Sequence, residues 1–260
     1  MTKITQQFEK IKINNRIGLM THLVLGYPSF EENIETVELM EKNDVDFIEL
    51  QLPFSDPVAD GPTMMQANTD SLANGTTIKD CFKTAATITK KSNISVLFMT
   101  YLNIAFNYGL ERFVSDSANI GIQGIILPDF PYEESSFYTF QCKKKKIDPI
   151  FVVSPNTSNE RLKNIKKQAS GFIYCTTRAG VTGIQPNLPK ELKSYLDRIK
   201  KNLNLPRAVG FGIANKSHLK MLKNSAECAV IGSAIMNIVH KGKTKKERLK
   251  SIEKFLVSLQ

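Results

Sequence analysis

The fifteen-residue stretch IELQLPFSDPVADGP (48–62) carries the clearest fold signal in the chain. Its leucines alternate with Glu49 and Gln51, and this period of two indicates a strand with one polar face. Three prolines then predict a segment without regular structure up to residue 62. The stretch therefore places one carboxylate near the end of a strand, and two more, Asp56 and Asp60, on the following loop. In folds built from parallel strands, active residues lie at that edge.

Short apolar runs recur at regular intervals and indicate eight strands, at Leu19–Leu25, Phe47–Leu52, Val96–Tyr101, Gly124–Leu127, Pro149–Val153, Phe172–Cys175, Ala208–Phe211 and Ala229–Ile231. Helical periodicity fills the intervals, at Glu31–Lys42, Ile78–Lys90, Leu110–Ala118, Tyr132–Lys145, Glu160–Gln168, Pro189–Lys201 and Ser217–Asn224. Two more amphipathic segments, Ile4–Ile13 and Lys245–Leu259, bracket the set. Eight alternating units over about 250 residues predict the α/β class and a (β/α)8 TIM barrel, with residues 1–260 as a single domain.

A doubly wound open sheet is the competing architecture. That fold usually carries a glycine-rich turn after its first strand, whereas this chain has Gly26-Tyr27-Pro28 there. The barrel is therefore favoured. The segment Ile4–Ile13 is then predicted to be an additional N-terminal helix that covers apolar side chains at the bottom of the barrel.

Composition indicates a cytosolic protein with a sizeable core. The apolar fraction is 42%, and no segment approaches the roughly 20 apolar residues of a membrane span. The first residues lack the apolar stretch of a signal peptide. The four cysteines lie far apart, without a CxxC pair or a histidine-rich companion, so we expect buried thiols in a reducing compartment and no metal site.

The net charge of +10 is unevenly distributed along the chain. Residues 1–130 carry 10 basic and 16 acidic side chains, whereas residues 131–260 carry 25 and 9. The dense lysines at 143–146 and 241–250 raise the possibility of nucleic-acid binding. Aromatic residues are not interleaved with them and no recognition motif accompanies them, so solvated helix faces are the favoured interpretation.

Glu49 and Asp60 are the candidate catalytic pair. In a barrel strand the apolar side is covered by helices, so the polar side that carries Glu49 should face the lumen. A carboxyl group in that partly apolar space suits a general acid or base near neutral pH, although pairing with a buried cation is the structural alternative. Asp60 could accept a hydrogen bond from a substrate N–H. For Asp56, which is predicted to face outward, turn formation is an equal possibility.

Glycine-containing turns follow three late strands, at residues 178–183, 210–213 and 231–235. In barrels, the loops after strands seven and eight, with a short helix N-terminus, commonly form a phosphate site. Backbone N–H groups of Gly212, Gly232 and Ser233 could converge there on a dianion. The turns thus predict a phosphorylated substrate, while tight strand-to-helix connections are the alternative. Tyr101 and Tyr174, at the ends of two strands, either line this pocket or belong to the core.

At these residues the chain resembles the tryptophan synthase alpha chain family over nearly its whole length. The matching segments are PFSDPVADGPT (53–63), RAGVTG (178–183), GFGI (210–213) and IGSAI (231–235). The first of them is highly specific, whereas the glycine turns also fit other phosphate-binding barrels. The family fold is a (β/α)8 barrel, in agreement with the strand count.

The resemblance implies a lyase of tryptophan biosynthesis that cleaves indole-3-glycerol phosphate by a retro-aldol reaction to indole and glyceraldehyde 3-phosphate. It assigns Glu49 as the acid/base and Asp60 as the partner of the indole N–H. It also implies that Gly183, Gly212, Gly232 and Ser233 bind the phosphate. By the same resemblance Tyr174 and Phe211 line the pocket, and Thr182 lies on a loop that orders over substrate beside Asp60.

The resemblance further implies a partner, the tryptophan synthase beta chain, in an alpha2beta2 heterotetramer. That partner carries pyridoxal phosphate and receives indole through an internal tunnel, whereas this chain needs no cofactor or metal. The implied contacts are Pro53, Phe54, Asp56 and Asn103. Two alternatives stay open: another phosphate-binding barrel enzyme, such as a phosphoribosyl isomerase, and a non-catalytic subunit that mainly activates a beta chain.

Four positions depart from the family's usual pattern. His22 stands where an aromatic residue is common, and Gln51 replaces a glycine two residues after the catalytic glutamate. Val24 and Tyr27 stand where the first strand usually ends in a threonine and an aspartate. The catalytic pair itself is intact.

Overall fold

The computed structural model describes residues 1–177, 191–210, 212–213 and 215–260. Its eight described strands form a closed barrel in which each strand pairs in parallel with the next and the last pairs with the first. The strands are β1 Gly18–Val24, β2 Phe47–Gln51, β3 Ser95–Met99, β4 Gly124–Ile126, β5 Asp148–Val153, β6 Ile173–Thr176, β7 Arg207–Gly210 and β8 Cys228–Ile231. The predicted TIM barrel is confirmed, with all eight strands within two residues of their expected bounds. That residues 1–260 form a single domain stays a prediction.

The described helices are α1 Lys3–Ile13, α2 Phe30–Lys42, α3 Pro62–Ala73, α4 Ile78–Lys91, α5 Leu102–Tyr108, α6 Leu110–Asn119, α7 Ser136–Lys145, α8 Asn159–Ile165, α9 Leu192–Leu203, α10 Lys216–Leu222, α11 Ser233–Lys241 and α12 Lys245–Leu259. A 3-10 turn, Tyr132–Glu134, precedes α7, so that predicted helix is split in two. The helices α3 and α5 were not predicted.

The prediction of irregular structure through residue 62 is wrong at its last position, because Pro62 begins α3. A proline fits the first helical turn, where its missing N–H has no partner to lose and its fixed φ already suits a helix. The preceding loop, residues 52–61, contains no helix or strand, as expected. This short loop lies directly between β2 and α3.

Two apolar layers hold the barrel. The outer layer lies between the strands and the surrounding helices, and Ile48 and Leu50 of β2 belong to it. The inner layer fills the lumen, where Phe47 of β2 packs with side chains from the other strands. This alternation leaves Glu49 and Gln51 on the lumen side of β2, as the sequence predicted.

The additional N-terminal helix closes the amino end of the barrel. Ile4, Phe8 and Ile11, at helical spacing, are buried in the inner layer. The Phe8 ring lies 4.8 Å from the ring of Phe47 and 5.7 Å from that of Phe172. The apolar bottom of the lumen is thus shielded from water, which leaves the carboxyl ends of the strands as the place for polar chemistry.

Among the described residues, no helix is both long enough and apolar enough to cross a membrane.

Candidate active site

Glu49 lies in the lumen, and its residue is 1% exposed. Its Oε2 is 2.8 Å from Nδ1 of His22, the residue opposite it on β1. Its Oε1 is buried and has no hydrogen-bond partner among the described residues. Because a buried carboxylate oxygen normally has a partner, this atom is placed to receive one from a bound molecule.

Asp60 lies on the 52–61 loop and is 3% exposed. Its Oδ2 accepts hydrogen bonds from Nε2 of Gln51, at 2.7 Å, and from Nδ2 of Asn68 on α3, at 3.3 Å. Burial raises the pKa of Asp60 above its usual 3.8, although the Gln51 hydrogen bond and the charge of His22 oppose this shift. The loop therefore holds a second carboxyl group inside the mouth of the barrel.

His22 and Gln51 connect the two acids. Nε2 of His22 is 2.7 Å from Oε1 of Gln51, so an unbroken line of hydrogen bonds runs from Glu49 to Asp60. Burial disfavours the charged form of His22, but the hydrogen bond and charge of Glu49 outweigh burial, and the pKa of His22 lies above 6.5. In the sequence, His22 and Gln51 were noted only as departures from the family pattern. The alternation along β2 could have predicted the role of Gln51, because it puts position 51 on the same lumen face as Glu49.

Tyr101 and Tyr174 both line the lumen beside the carboxylates. The hydroxyl of Tyr101 accepts a hydrogen bond from the backbone N–H of Ala59 at 3.2 Å, which ties it to the 52–61 loop. Burial, and then the charges of Glu49 and Asp60, raise the pKa of the Tyr174 hydroxyl well above its usual value. Both hydroxyl groups therefore stay protonated near neutral pH and lie near the acids.

The N-terminus of α11 faces this region. Gly232 precedes the helix and provides no side-chain cap, so N–H groups of the first turn are available to an anion. A Cβ atom on Gly232 would lie 3.4 Å from Cβ of His22, which places the helix start beside the hydrogen bonds that join the two acids. Gly212, after β7, has a φ of +101°, a conformation that suits glycine. These positions agree with the expected phosphate site, which stays a prediction. Thr182, Gly183 and Phe211 lie outside the described residues.

The predicted partner-contact residues differ in exposure. Pro53 is buried, Phe54 is partly buried, and Asp56 and Asn103 are exposed. The Phe54 ring stacks on Tyr101 with 5.3 Å between ring centroids. Phe54, Asp56 and Asn103 are therefore accessible and Pro53 is not, and their contact with a partner stays a prediction.

The described residues contain no group of three or more His, Cys, Asp or Glu side chains that could hold a metal ion. All four cysteines are free and buried. The lysines at 143–146 are exposed at the end of α7, as expected for a solvated helix face.

The chain is similar to proteins of one family. A family model described as tryptophan synthase alpha chain matches residues 8–260. The tryptophan synthase alpha chain of Desulfotalea psychrophila is 45% identical over 239 residues, which cover 92% of this chain and 93% of that one. A structure of Mycobacterium tuberculosis tryptophan synthase matches with a TM-score of 0.91 and 26% identity, over 99% of this chain and 96% of that chain. A structure of the a2b2 complex from Pyrococcus furiosus matches with a TM-score of 0.87 and 29% identity, over 93% and 97%.

Proposed function

The chain belongs to the tryptophan synthase alpha chain family, and from this premise we propose how its residues carry out the family's reaction. The chain is a carbon–carbon lyase that cleaves indole-3-glycerol phosphate to indole and glyceraldehyde 3-phosphate. The observation that carries the assignment of roles is the buried Glu49 carboxyl group, which has one oxygen unpartnered among the described residues. The 52–61 loop holds a second acid, Asp60, near it.

Glu49 is the acid/base of this proposal. It donates a proton to the indole ring carbon that leaves, and it takes a proton from the side-chain hydroxyl as the carbon–carbon bond breaks. One proton is given and one is taken, so the carboxyl group returns to its starting state. Its Oε1 is the oxygen that faces substrate, because Oε2 is engaged with His22.

Asp60 accepts a hydrogen bond from the indole N–H in this proposal. As the ring carbon is protonated, positive charge develops on the ring nitrogen, and a nearby carboxylate stabilises it. The buried position of Asp60 strengthens this effect, since little water screens the interaction. Asp60 thus lowers the barrier without exchanging a proton with the reacting carbon.

In this proposal the phosphate is held by backbone groups of Gly232 and Ser233 at the start of α11 and of Gly212 after β7, and Tyr174 lines the indole pocket. The family resemblance adds three residues outside the described part of the chain: Gly183 for the phosphate, Phe211 for the indole pocket and Thr182 for a loop that orders over substrate. Support among the described residues comes from the uncapped first turn of α11 beside His22.

The partner in this proposal is a tryptophan synthase beta chain, in an alpha2beta2 complex like the one named for the Pyrococcus furiosus protein. The exposed Asp56 and Asn103, with Phe54, form the contact surface. Pyridoxal phosphate is assigned to the beta chain, and this chain works without its own cofactor. We assign a cytoplasmic location, which the four free cysteines support.

The test is indole release from indole-3-glycerol phosphate by the full chain, with and without a beta chain. We expect Glu49→Gln to lower kcat by about 10²- to 10⁴-fold, and Asp60→Asn to lower it by about a hundredfold. Glu133→Gln, an exposed acid paired with Arg161, serves as a matched control with unchanged activity.

Three outcomes would contradict the proposal. Normal turnover by Glu49→Gln would remove the catalytic assignment. A chain that releases no indole but activates a beta chain would be the non-catalytic subunit, and turnover of a different phosphorylated substrate would indicate another barrel enzyme.

A further inference from the structure

The hydrogen bonds between the two acids have a direction, and the main chain sets it. The relevant side chain is Asn68 of α3, which is 1% exposed. Its Nδ2 donates to the carbonyl oxygen of Met64 at 2.8 Å, and its Oδ1 accepts from the N–H of Phe54 at 3.0 Å. A carbonyl can only accept and an N–H can only donate, so the Asn68 amide has one possible orientation.

Asn68 in turn fixes the amide of Gln51. Oδ1 of Asn68 is 3.3 Å from Nε2 of Gln51, and the same nitrogen donates to Oδ2 of Asp60 at 2.7 Å. Both neighbours are acceptors, so the amide nitrogen of Gln51 must face them. Its carbonyl oxygen therefore faces His22.

The orientation of Gln51 then determines the proton on one ring nitrogen of His22. Oε1 of Gln51 has no proton to give, so the 2.7 Å contact requires a proton on Nε2. A neutral imidazole carries only one proton, which leaves Nδ1 as an acceptor. The 2.8 Å contact from Nδ1 to Glu49 then requires a second proton between these two groups.

We propose that His22 and Gln51 are positioning residues of the lyase, which keep one exchangeable proton between Nδ1 of His22 and Oε2 of Glu49. The proton lies either on the imidazole, as an ion pair, or on the carboxyl group, as a neutral pair. The two forms differ only by a shift along one hydrogen bond. The raised pKa of His22 agrees with this arrangement.

This inference rests on the proposed function of Glu49. When Glu49 gives the shared proton to the ring carbon, Nδ1 of His22 and the carboxylate are both left as acceptors in a buried space. The facing lone pairs make the carboxylate a stronger base, and it takes the proton of the substrate hydroxyl, which restores the shared proton. No proton is gained or lost overall. Asp60 meanwhile keeps two donors on Oδ2, from Gln51 and Asn68, which favour its charged form.

Titratable groups from several elements surround the pair. Near His22 and Glu49 are Asp60 from the 52–61 loop, Tyr101 from the end of β3, Tyr174 from β6 and Cys228 from β8. Burial raises the pKa of both tyrosines and of Cys228 above its usual value, so these three groups stay neutral near pH 7. The charges that act on His22 are therefore those of the two carboxylates.

The decisive measurement is ¹⁵N NMR of the full chain labelled at its histidines. The chain contains only three histidines, so the spectrum can be assigned by substitution. We expect His22 to keep its proton on Nε2 throughout, and the Nδ1 signal to report loss of the shared proton with a midpoint above 6.5. A midpoint below 6.5, or a neutral ring protonated on Nδ1, would overturn the proposal.

Gln51→Met tests the cause of this tautomer. Methionine has a similar length but gives Nε2 no carbonyl acceptor, so the neutral ring of His22 should move its proton to Nδ1 and donate to Glu49. An unchanged tautomer in Gln51→Met would show that Gln51 does not set it. The control is His240→Gln, at an exposed histidine whose partner is Tyr27, and it should leave the His22 signals unchanged.

Kinetics provide a second readout. We expect His22→Phe to lower kcat by about tenfold, with little change in KM, and to move the limb of the pH–rate profile that reports the pair. The fold decrease in kcat of the double variant His22→Phe/Gln51→Met should be smaller than the product of the two single decreases, because both residues act on the same proton. A His22→Phe profile that superimposes on the wild-type profile would overturn the proposal. The NMR result does not depend on turnover, so it separates failure of this inference from failure of the catalytic assignment.

Discussion

Two buried acids lie three residues apart, Asp46 directly before β2 and Glu49 within it. At the amino end, Asp46 accepts hydrogen bonds from Arg16 at 2.6 and 2.5 Å, from Gln7 at 2.6 Å and from the backbone N–H of Leu19 at 2.9 Å. Among the described residues, Glu49 has one hydrogen-bond partner, at its Oε2, and its Oε1 has none.

The difference teaches how to separate a structural acid from a reactive one. Burial does not distinguish them, because the exposed fraction of both side chains is 1%. The number of carboxylate oxygens with a hydrogen-bond partner does distinguish them. Both oxygens of Asp46 accept hydrogen bonds that connect α1 with β1, whereas one oxygen of Glu49 has no partner among the described residues. We therefore expect Asp46 to contribute to stability, and Glu49, in its proposed role, to contribute to catalysis.

The largest loss of stability should come from removing the Phe8 ring, which α1 inserts into the amino end of the lumen. Phe8→Ala leaves a cavity beside Phe47 and Phe172, and we expect the free energy of unfolding to fall by about 3–5 kcal/mol. Urea denaturation measures this change, with the exposed Phe137→Ala as the control. Turnover per folded molecule should stay the same. A loss of kcat equal to that of Glu49→Gln would abolish the separation between the two ends.

Matched carboxylate-to-amide changes compare the two acids directly. Asp46→Asn puts an amide nitrogen among donors, and we expect it to cost about 2–3 kcal/mol of unfolding free energy with normal activity. Glu49→Gln should cost less than about 1 kcal/mol and remove most activity. Chemical denaturation and indole release, measured on the same preparations, give both numbers. Equal stability losses for the two variants would contradict the comparison.

Asp60→Asn should stabilise the chain while it impairs catalysis. Burial raises the pKa of Asp60 above 3.8, so the folded protein binds this proton more tightly than the unfolded chain does. The charged carboxylate therefore opposes folding at neutral pH, and this penalty disappears as the pH falls through both pKa values. We expect a higher urea midpoint for the variant at pH 7, and a smaller gain in acid. The exposed Asp56→Asn is the control, and a lower midpoint at pH 7 would contradict the prediction.

The smallest expected effect is a pH-dependent contribution of His22 to stability. Its pKa in the folded chain lies above the ordinary 6.5, so its stabilising contribution is full below 6.5 and is lost as the pH rises through the folded value. The stability difference between wild type and His22→Phe should therefore shrink between about pH 6 and pH 9. Denaturation at both pH values measures it, with His240→Gln as the reference variant. A difference that grows with pH would contradict the assigned direction.

The barrel could be predicted from the sequence because each strand coincides with a short apolar run. Alternation along β2 also gave the side on which Glu49 lies. The network around it could not be predicted in the same way. His22 faces Glu49 only through the register of β1 against β2, which is a long-range property. The role of Asn68 could not be predicted because α3 was not expected. Pro62, its first residue, was interpreted as the end of a segment without regular structure.

The contact between His22 and Gln51 limits which pairs of residues can occur together at these two positions in related chains. A histidine at position 22 has a defined tautomer only while position 51 offers a carbonyl oxygen. The carbonyl oxygen of a glutamine at 51, in turn, has its histidine partner only while position 22 can donate. Each substitution alone leaves a buried polar group unpaired, which is costly. The two positions are therefore expected to change together among relatives. An aromatic residue at 22 belongs with a small residue at 51, and histidine belongs with glutamine.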